Sequence, residues 1–402
     1  MHTELADSLR NTPEGREAEA ILRKCVHCGF CNAVCPTYSL LGDEADGPRG
    51  RIYLMKLLME GQESGERTRF HLDRCLTCRA CESACPSGVH YGRLVDLGRG
   101  LAERGLPRPW WQRIQRQALL RLLPYPRRFG FLLTLARGLR PLLPPTMRRK
   151  IPPRTEAPSW PKSNHSRTML FLDGCVQPVL APSINAAMAR VLDQLGIRLL
   201  HPNPAICCGA LSYHLGAHAA GLDFMRRSID GWWPDIERGV EAIVISASGC
   251  GAMIKDYGHA LRNDSRYAQK AARVSALAKD LGEILALENL ERLQPITPRR
   301  IAFQSPCSLQ HGQGLGGLVE ELLRRLGFEL APVSGAHLCC GSAGTYSLLQ
   351  PQLSQRLREN RLTALEAGGA ELIATANIGC LIHLREGAHL PVMHWVELLH
   401  PE

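Results

Sequence analysis

The sequence predicts a multidomain chain, with an α-helical N-terminal domain built around two cysteine loops followed by two α/β cysteine-rich repeats. Three observations predict it. The spacing C-x2-C-x2-C-x3-C-P occurs twice within residues 1–103. A second pattern, a lone cysteine, a Cys-Cys-Gly doublet and a later cysteine, also occurs twice, at offsets of 132, 132, 132 and 130 residues. Between the two groups, residues 104–166 hold no cysteine and are rich in Arg, Pro and Leu. The chain therefore divides into a domain at 1–103, a basic linker at 104–166, and two copies of one unit at 167–290 and 291–402.

A chain of 402 residues, 45% hydrophobic and 21% charged, can build several cores, which excludes disorder and a small disulfide scaffold. Its 16 cysteines fall in patterned groups, and such grouping points to metal rather than disulfides. No basic stretch followed by an apolar run opens the chain, so the thiols are expected in a reducing, cytoplasmic compartment. The longest apolar candidate, Phe129 to Ala136, falls far short of the ~18 residues a membrane span needs, so a soluble or peripheral protein is expected.

In the first domain Cys25, Cys28, Cys31 and Cys35 precede Pro36, and Cys75, Cys78, Cys81 and Cys85 precede Pro86. This is the bacterial two-cluster ferredoxin run, in which three cysteines wrap one cubane and the fourth reaches the other. By that rule Cys25, Cys28, Cys31 and Cys85 hold one [4Fe-4S] cluster, and Cys75, Cys78, Cys81 and Cys35 hold the second. A pair of zinc sites would leave the third cysteine and the repeated x3-C-P unexplained. His27 lies inside the first loop, but with four cysteines placed it reads as a loop side chain. Apolar periodicity predicts helices over Arg51–Glu60, Leu72–Arg74 and Tyr91–Glu103, so a helical domain is expected rather than a small β-hairpin ferredoxin.

The second half carries Cys175, Cys207, Cys208 and Cys250 in one copy and Cys307, Cys339, Cys340 and Cys380 in the other. In each copy three short strands alternate with helices, predicting a small parallel sheet with every cysteine just past a strand's carboxyl end, where open α/β sheets build their sites. Ile184, Met188, Leu192 and Leu195 share one helix face, as do Leu318, Leu322 and Leu326. Two readings of each set stand side by side: a further iron-sulfur centre, since adjacent cysteines can grip different irons, or four reduced structural thiols. Gly312 to Gly317 matches G-x-G-x-x-G but starts well after its strand and lacks an acidic ribose partner, so its glycines are read as a turn beside Cys307. No hydrolase or nucleotide motif appears, and His311, Tyr346 and His383 near the second set are given no catalytic role.

From Arg104 to Arg154 there are 13 Arg or Lys and no Asp or Glu, so this one segment exceeds the whole net charge of +10. Trp110, Trp111, Phe129 and Phe131 are interleaved with the arginines, while Pro124, Pro126, Pro141, Pro144 and Pro145 break any long helix. Two readings are open: a face lying on an anionic membrane surface, or packing against the two domains or a partner. Nucleic-acid binding is not expected, since no recognised module is present.

With these motifs in place, the chain resembles the iron-sulfur subunit of bacterial glycolate oxidase. The resemblance is carried by Lys24–Pro36 (KCVHCGFCNAVCP), Gly47–Arg51 (GPRGR), His71–Cys78 (HLDRCLTC), Ser248–Gly251 (SGCG), Leu338–Tyr346 (LCCGSAGTY) and Thr375–Cys380 (TANIGC). It implies two [4Fe-4S] clusters on this chain and FAD on partner subunits that oxidise glycolate to glyoxylate. Electrons would pass toward a membrane acceptor such as quinone, with the protein peripheral on the inner face of the membrane. The C-terminal units also resemble the cysteine-rich domain of heterodisulfide reductase, whose motif ends in C-x2-C; here Met253 and His383 stand at those last positions. That leaves a self-sufficient thiol or disulfide reductase, or the equivalent subunit of a lactate or glycerol-3-phosphate dehydrogenase, as the alternatives.

Overall fold

A computed structural model describes residues 1–62, 65–105, 108–142, 144, 151–153, 158–201, 207–297 and 299–400. Pro145, Arg148, Arg149, Lys150 and Arg154 of the basic segment lie outside the described residues.

The N-terminal domain is helical, with no strand among its described residues. Helices Pro13–Lys24, Pro48–Met59, Glu66–Asp73 and Tyr91–Gly105 bury Leu22, Met55, Met59, Leu72, Leu94 and Val95 against one another. Thr12 accepts a hydrogen bond from Gly15 N and starts the first of them, with Pro13 in its first turn. The prolines that follow the two runs play different parts: Pro36 opens helix Pro36–Leu41, whereas Pro86 sits in a turn.

Each C-terminal unit is a four-stranded parallel sheet. In the first, β1 (Arg167–Phe171), β2 (Ile197–Leu200), β3 (Ile243–Ile245) and β4 (Ala278–Asp280) run in the order β2-β1-β3-β4. In the second, β5 (Arg300–Gln304), β6 (Glu329–Leu330), β7 (Leu372–Thr375) and β8 (Val392–His394) repeat it as β6-β5-β7-β8. Corresponding registers match, Leu170 beside Ile243 in one and Ala302 beside Ile373 in the other. The sequence predicts three strands per unit; β4 and β8 are the additions. Each has three residues, too few to show an alternation, and each is placed by pairing to one neighbour only. The boundaries expected after 103 and 290 fall inside continuous helical turns, Tyr91–Gly105 and Leu290–Arg292.

The two sheets share one core, in which Ile184, Met188 and Leu192 of helix Pro182–Gln194 meet Leu322 and Leu323 of helix Leu318–Arg325 and Trp395. The units also exchange hydrogen bonds at their cysteine edges. His394 Nε2 lies 3.1 Å from Ser246 O, the Ser248 and Ser308 hydroxyls are 2.8 Å apart, and Gly249 N donates to Asn377 Oδ1 at 3.4 Å.

The basic segment forms two helices, Trp110–Leu122 and Pro126–Leu139, separated at Pro124 and Pro126. Arg108 and Arg116 pin it to the N-terminal domain by pairing with Asp73 and Glu103. Trp110, Trp111, Ile114, Phe131 and Leu139 point outward, Trp110 being 73% and Phe131 66% exposed. No helix among the described residues is long and apolar enough to cross a membrane.

Candidate iron-sulfur sites

Each loop of the N-terminal domain leaves a helix at its first cysteine: Cys25 N donates to Leu22 O at 3.0 Å, and Cys75 N to Leu72 O at 3.1 Å. Both then curl through left-handed backbone at the same two places, His27 and Gly29 in the first and Thr77 and Arg79 in the second. Glycine meets that demand without strain at position 29, where a Cβ would come 2.8 Å from the Arg49 guanidinium. Arg79 accepts the strain and is held by Glu82, with Nη2 to Oε2 at 2.9 Å.

The fold groups the cysteines crosswise. Cys25, Cys28, Cys31 and Cys85 line one opening at the surface, with Val26 and Phe30 on its exposed rim. Cys78 and Cys81 sit within electrostatic reach of Cys75 and Cys35 in the interior. Cys81 and Tyr91 also line the first opening, and the Tyr91 hydroxyl lies 3.6 Å from Cys75 Sγ, so these two side chains form the wall between the groups.

The groups differ in surroundings. Burial pushes the Cys31 thiol up to about 11 in the outer group. In the inner group burial also pushes the Cys75 thiol up, but the charges of Arg51 and Arg99 outweigh it and leave Cys75 below its ordinary value. Arg51 is 1% exposed and donates to His71 O at 2.8 Å, Thr37 Oγ1 at 3.0 Å and Asp46 Oδ1 at 3.3 Å. Arg99 donates to Cys75 O at 2.7 Å and Thr77 Oγ1 at 2.7 Å. Asp43, Asp46 and His71 come close enough to suggest a cation site, but both oxygens of Asp46 are already taken, one by Arg51 and His71 and the other by Arg74.

In the C-terminal units the four cysteines of each copy meet from the segments that follow three strands, β1, β2 and β3 in the first and β5, β6 and β7 in the second. Cys207 contacts Cys175 and Cys208, and Cys208 contacts Cys250. In the second copy Cys307 and Cys339 sulfurs are 3.9 Å apart, and Cys340 and Cys380 sulfurs 3.2 Å apart. The doublet glycines shape both sites. Gly209 and Gly341 adopt φ of +83° and +90°, and a Cβ on either would stand 2.7 Å from a carbonyl, Gly221 O or Ser354 O. Their amides donate to Cys207 Sγ at 3.5 Å and Cys339 Sγ at 3.4 Å. The contact with Cys339, together with burial, pushes the Cys307 thiol well up, and the contact with Cys208 does the same for Cys250. Sulfurs so crowded can all ionise only around a cation.

The donor sets suit iron-sulfur clusters, being all thiol, with neither imidazole nor carboxylate among them. A second observation agrees. The Tyr346 hydroxyl is buried without a partner, within electrostatic reach of both Cys75 and Cys339.

Other residues singled out in the sequence have partners besides the sulfurs. His27 Nε2 lies 3.0 Å from Met1 Sδ. His383 Nε2 lies 3.2 Å from Ser354 Oγ, and Met253 is buried in the apolar cluster of the first unit that also takes in Cys208 and Cys250. Gly314 and Gly317 take left-handed backbone in the turn after Cys307. Sequence reasoning missed Arg51, Arg99 and Arg361 as neighbours of the sulfurs. The available signal was an arginine inside an otherwise apolar helical stretch, as at Arg51.

The comparisons fit this geometry. Residues 21–89 match the 4Fe-4S dicluster domain, and residues 169–255 and 301–385 each match the cysteine-rich domain. The chain is 52% identical over 400 residues to the glycolate oxidase iron-sulfur subunit of Escherichia coli, covering 99% of this chain and 98% of that one. It belongs to the glycolate oxidase iron-sulfur subunit family. A "Probable glycolate oxidase iron-sulfur subunit" of Bacillus subtilis is 29% identical over 94% of this chain and 92% of its own length. The Lactate utilization protein A of Bacillus licheniformis is 26% identical over 58% of this chain and 98% of its own. A crystal structure of a hypothetical protein from Helicobacter pylori shares the fold, with a TM-score of 0.58 at 10% identity, over 97% of this chain and 72% of that one. The two cysteine-rich matches begin within β1 and β5 and take in the first three strands of each sheet, stopping short of β4 and β8.

Proposed function

We propose that this chain is the iron-sulfur electron-transfer subunit of a multi-subunit glycolate oxidase, carrying electrons from a flavin-bearing partner that oxidises glycolate to glyoxylate toward a membrane acceptor such as quinone. The single observation that supports it most is the crossed grouping, with Cys25, Cys28, Cys31 and Cys85 open to the surface and Cys35, Cys75, Cys78 and Cys81 behind them. When bound there, two [4Fe-4S] clusters supply one-electron redox chemistry. The chain's own residues do the rest: Arg51 and Arg99 hold positive charge against Cys75, Tyr91 separates the two groups, and the repeats cover the inner one. The substrate chemistry belongs to the partner's FAD. The outward face of helices Trp110–Leu122 and Pro126–Leu139 supports peripheral binding to an anionic membrane surface. Co-purification with a flavoprotein and glycolate-dependent dye reduction, lost in Cys28→Ser, is the expected result. A chain that purifies without flavoprotein and reduces a disulfide by itself would overturn the reading in favour of a thiol reductase.

A further inference from the structure

We infer that the second repeat, and not the first, is the one wired to the ferredoxin domain: Cys78 and Tyr346 join the site of Cys35, Cys75, Cys78 and Cys81 to that of Cys307, Cys339, Cys340 and Cys380, so that an electron leaving the former is received at the latter. This rests on reading both sets as iron-sulfur sites.

Packing carries the inference. Leu76, Cys339, Tyr346, Leu353 and Leu357 close into one buried apolar cluster, with Cys78 and Cys307 packed against it. Residues from the loop of one site and from both sides of the other therefore share a single interior. The contact is held at its rim, where helix Ala80–Ser83 lies on the turn Ser308–Gly312. Arg79 Nη1 donates to Gly312 O at 3.4 Å, and Ser83 Oγ lies 2.9 Å from His311 Nδ1. The orphaned hydroxyl of Tyr346 lies within reach of one cysteine from each site.

The first repeat meets the ferredoxin domain differently. It is joined by hydrogen bonds and ion pairs, His214 Nδ1 to Asp96 Oδ1 at 3.0 Å, Arg99 to His214 O at 3.3 Å, and Glu17 with His259 and Arg262, and by the close approach of His218 to Gly100. Among the described residues, the apolar cluster that takes in Cys208 and Cys250 includes none of the ferredoxin domain. Electron tunnelling falls off exponentially with distance and favours packed atoms over polar, hydrated gaps, so the packed junction is the conducting one. Charge agrees, since Arg361 is buried beside Cys339, Cys340 and Cys380 with its Nη2 unpartnered, a cation placed to receive added negative charge. The step is a one-electron exchange: the ferredoxin-side cluster is oxidised, the repeat-side centre is reduced, and no bond is made or broken. Reduced flavin on a partner is the reductant in the function proposed above, and dithionite is the reductant in the test.

The experiment uses the full chain, reconstituted anaerobically with iron and sulfide and reduced stepwise with dithionite under electron paramagnetic resonance. The wild type is expected to show, beyond the coupling of the two cubanes to each other, a further splitting or broadening of the inner cubane's signal by the spin of the second repeat. Cys339→Ser is expected to abolish that splitting, and Cys207→Ser, its counterpart in the first repeat, to leave it unchanged. Cys380→Ser serves as a second variant, because Cys380 is no part of the Leu76–Tyr346 packing, and the same loss is expected from it. Splitting that survives both Cys339→Ser and Cys380→Ser, or that disappears in Cys207→Ser, overturns the wiring. Iron at only about eight atoms per chain in the wild type, the content of two cubanes, also overturns it while leaving the electron-transfer function intact. Loss of the cubanes themselves in the wild type would instead sink that function.

Discussion

Arg361 stands in the second repeat where Ser228 stands in the first. Gly209 abuts Gly221 and Phe224, and Gly341 abuts Ser354 and Leu357 at the same spacing, which sets residue 228 against 361. Ser228 Oγ donates to Cys207 O at 3.3 Å. Arg361 instead donates to Gln304, to Ser334 O at 3.1 Å and to Gly335 O at 2.9 Å. One repeat thus has a neutral hydroxyl behind its doublet, and the other a buried charge.

Replacing that charge is expected to lower the reduction potential of a centre in the second repeat. Arg361→Gln keeps donors for the carbonyls but removes a cation from a poorly screened interior, and the expected fall is on the order of tens of millivolts. Potentiometric titration followed by electron paramagnetic resonance reads it. Ser228→Ala serves as the control, and an equal shift in both variants would contradict the assignment.

Gly341→Ala is expected to cost roughly 2–3 kcal/mol, since an L-residue at φ of +90° is strained and its Cβ would lie 2.7 Å from Ser354 O. The urea midpoint of the full chain measures it. Gly239→Ala adopts a similar φ of +91° with nothing near its Cβ, and should lose only the backbone part.

His394 gives the stability a pH dependence with a definite sign. Burial holds its imidazole down to about 4 from the usual 6.5, with Glu397 pulling the other way and Arg385 adding to the fall. The neutral ring is the form in place, with Nε2 bonded to Ser246 O and Nδ1 accepting from Val396 N at 3.3 Å. A depressed imidazole contributes stability above the unfolded value and loses it as pH falls toward the folded one. Unfolding free energy is therefore expected to drop between pH 6.5 and about 4, by about 3 kcal/mol from this group. Urea unfolding at several pH values should show a shallower slope in His394→Asn, and an unchanged slope would reject the role.

The outward face of the basic segment should bind vesicles containing phosphatidylglycerol and ignore purely zwitterionic ones. Serine at Trp110, Trp111 and Phe131 together is expected to weaken binding about tenfold or more, since each buries a large apolar group at the interface. Sedimentation with vesicles measures it. The pins Arg108 and Arg116 face Asp73 and Glu103, so the triple variant leaves the fold's own contacts untouched.

Much of this arrangement is legible in cysteine spacing, because a loop carrying C-x2-C-x2-C has few ways to present three sulfurs to one point. The same spacing accounts for Cys85 turning to the first loop and Cys35 to the second. The 132-residue offset likewise locates two matched sheets, since equal spacing between strand ends brings equivalent cysteines to equivalent edges. What was not legible comes from contacts far apart in the chain. Nothing local marks Tyr346 as a neighbour of Cys75, or Arg99 as a donor to its carbonyl. β4 and β8 escaped for a different reason, having three residues each and deriving their conformation from β3 and β7.

Cys28 is the one exposed cysteine of the sixteen, at the mouth of the outer site. In air, a cluster seated there meets dioxygen first, whereas the inner site lies beneath the apolar contact of Leu76 and Tyr346. With clusters in both sites, oxidative loss would then be ordered, iron leaving from the outer site while the inner one persists.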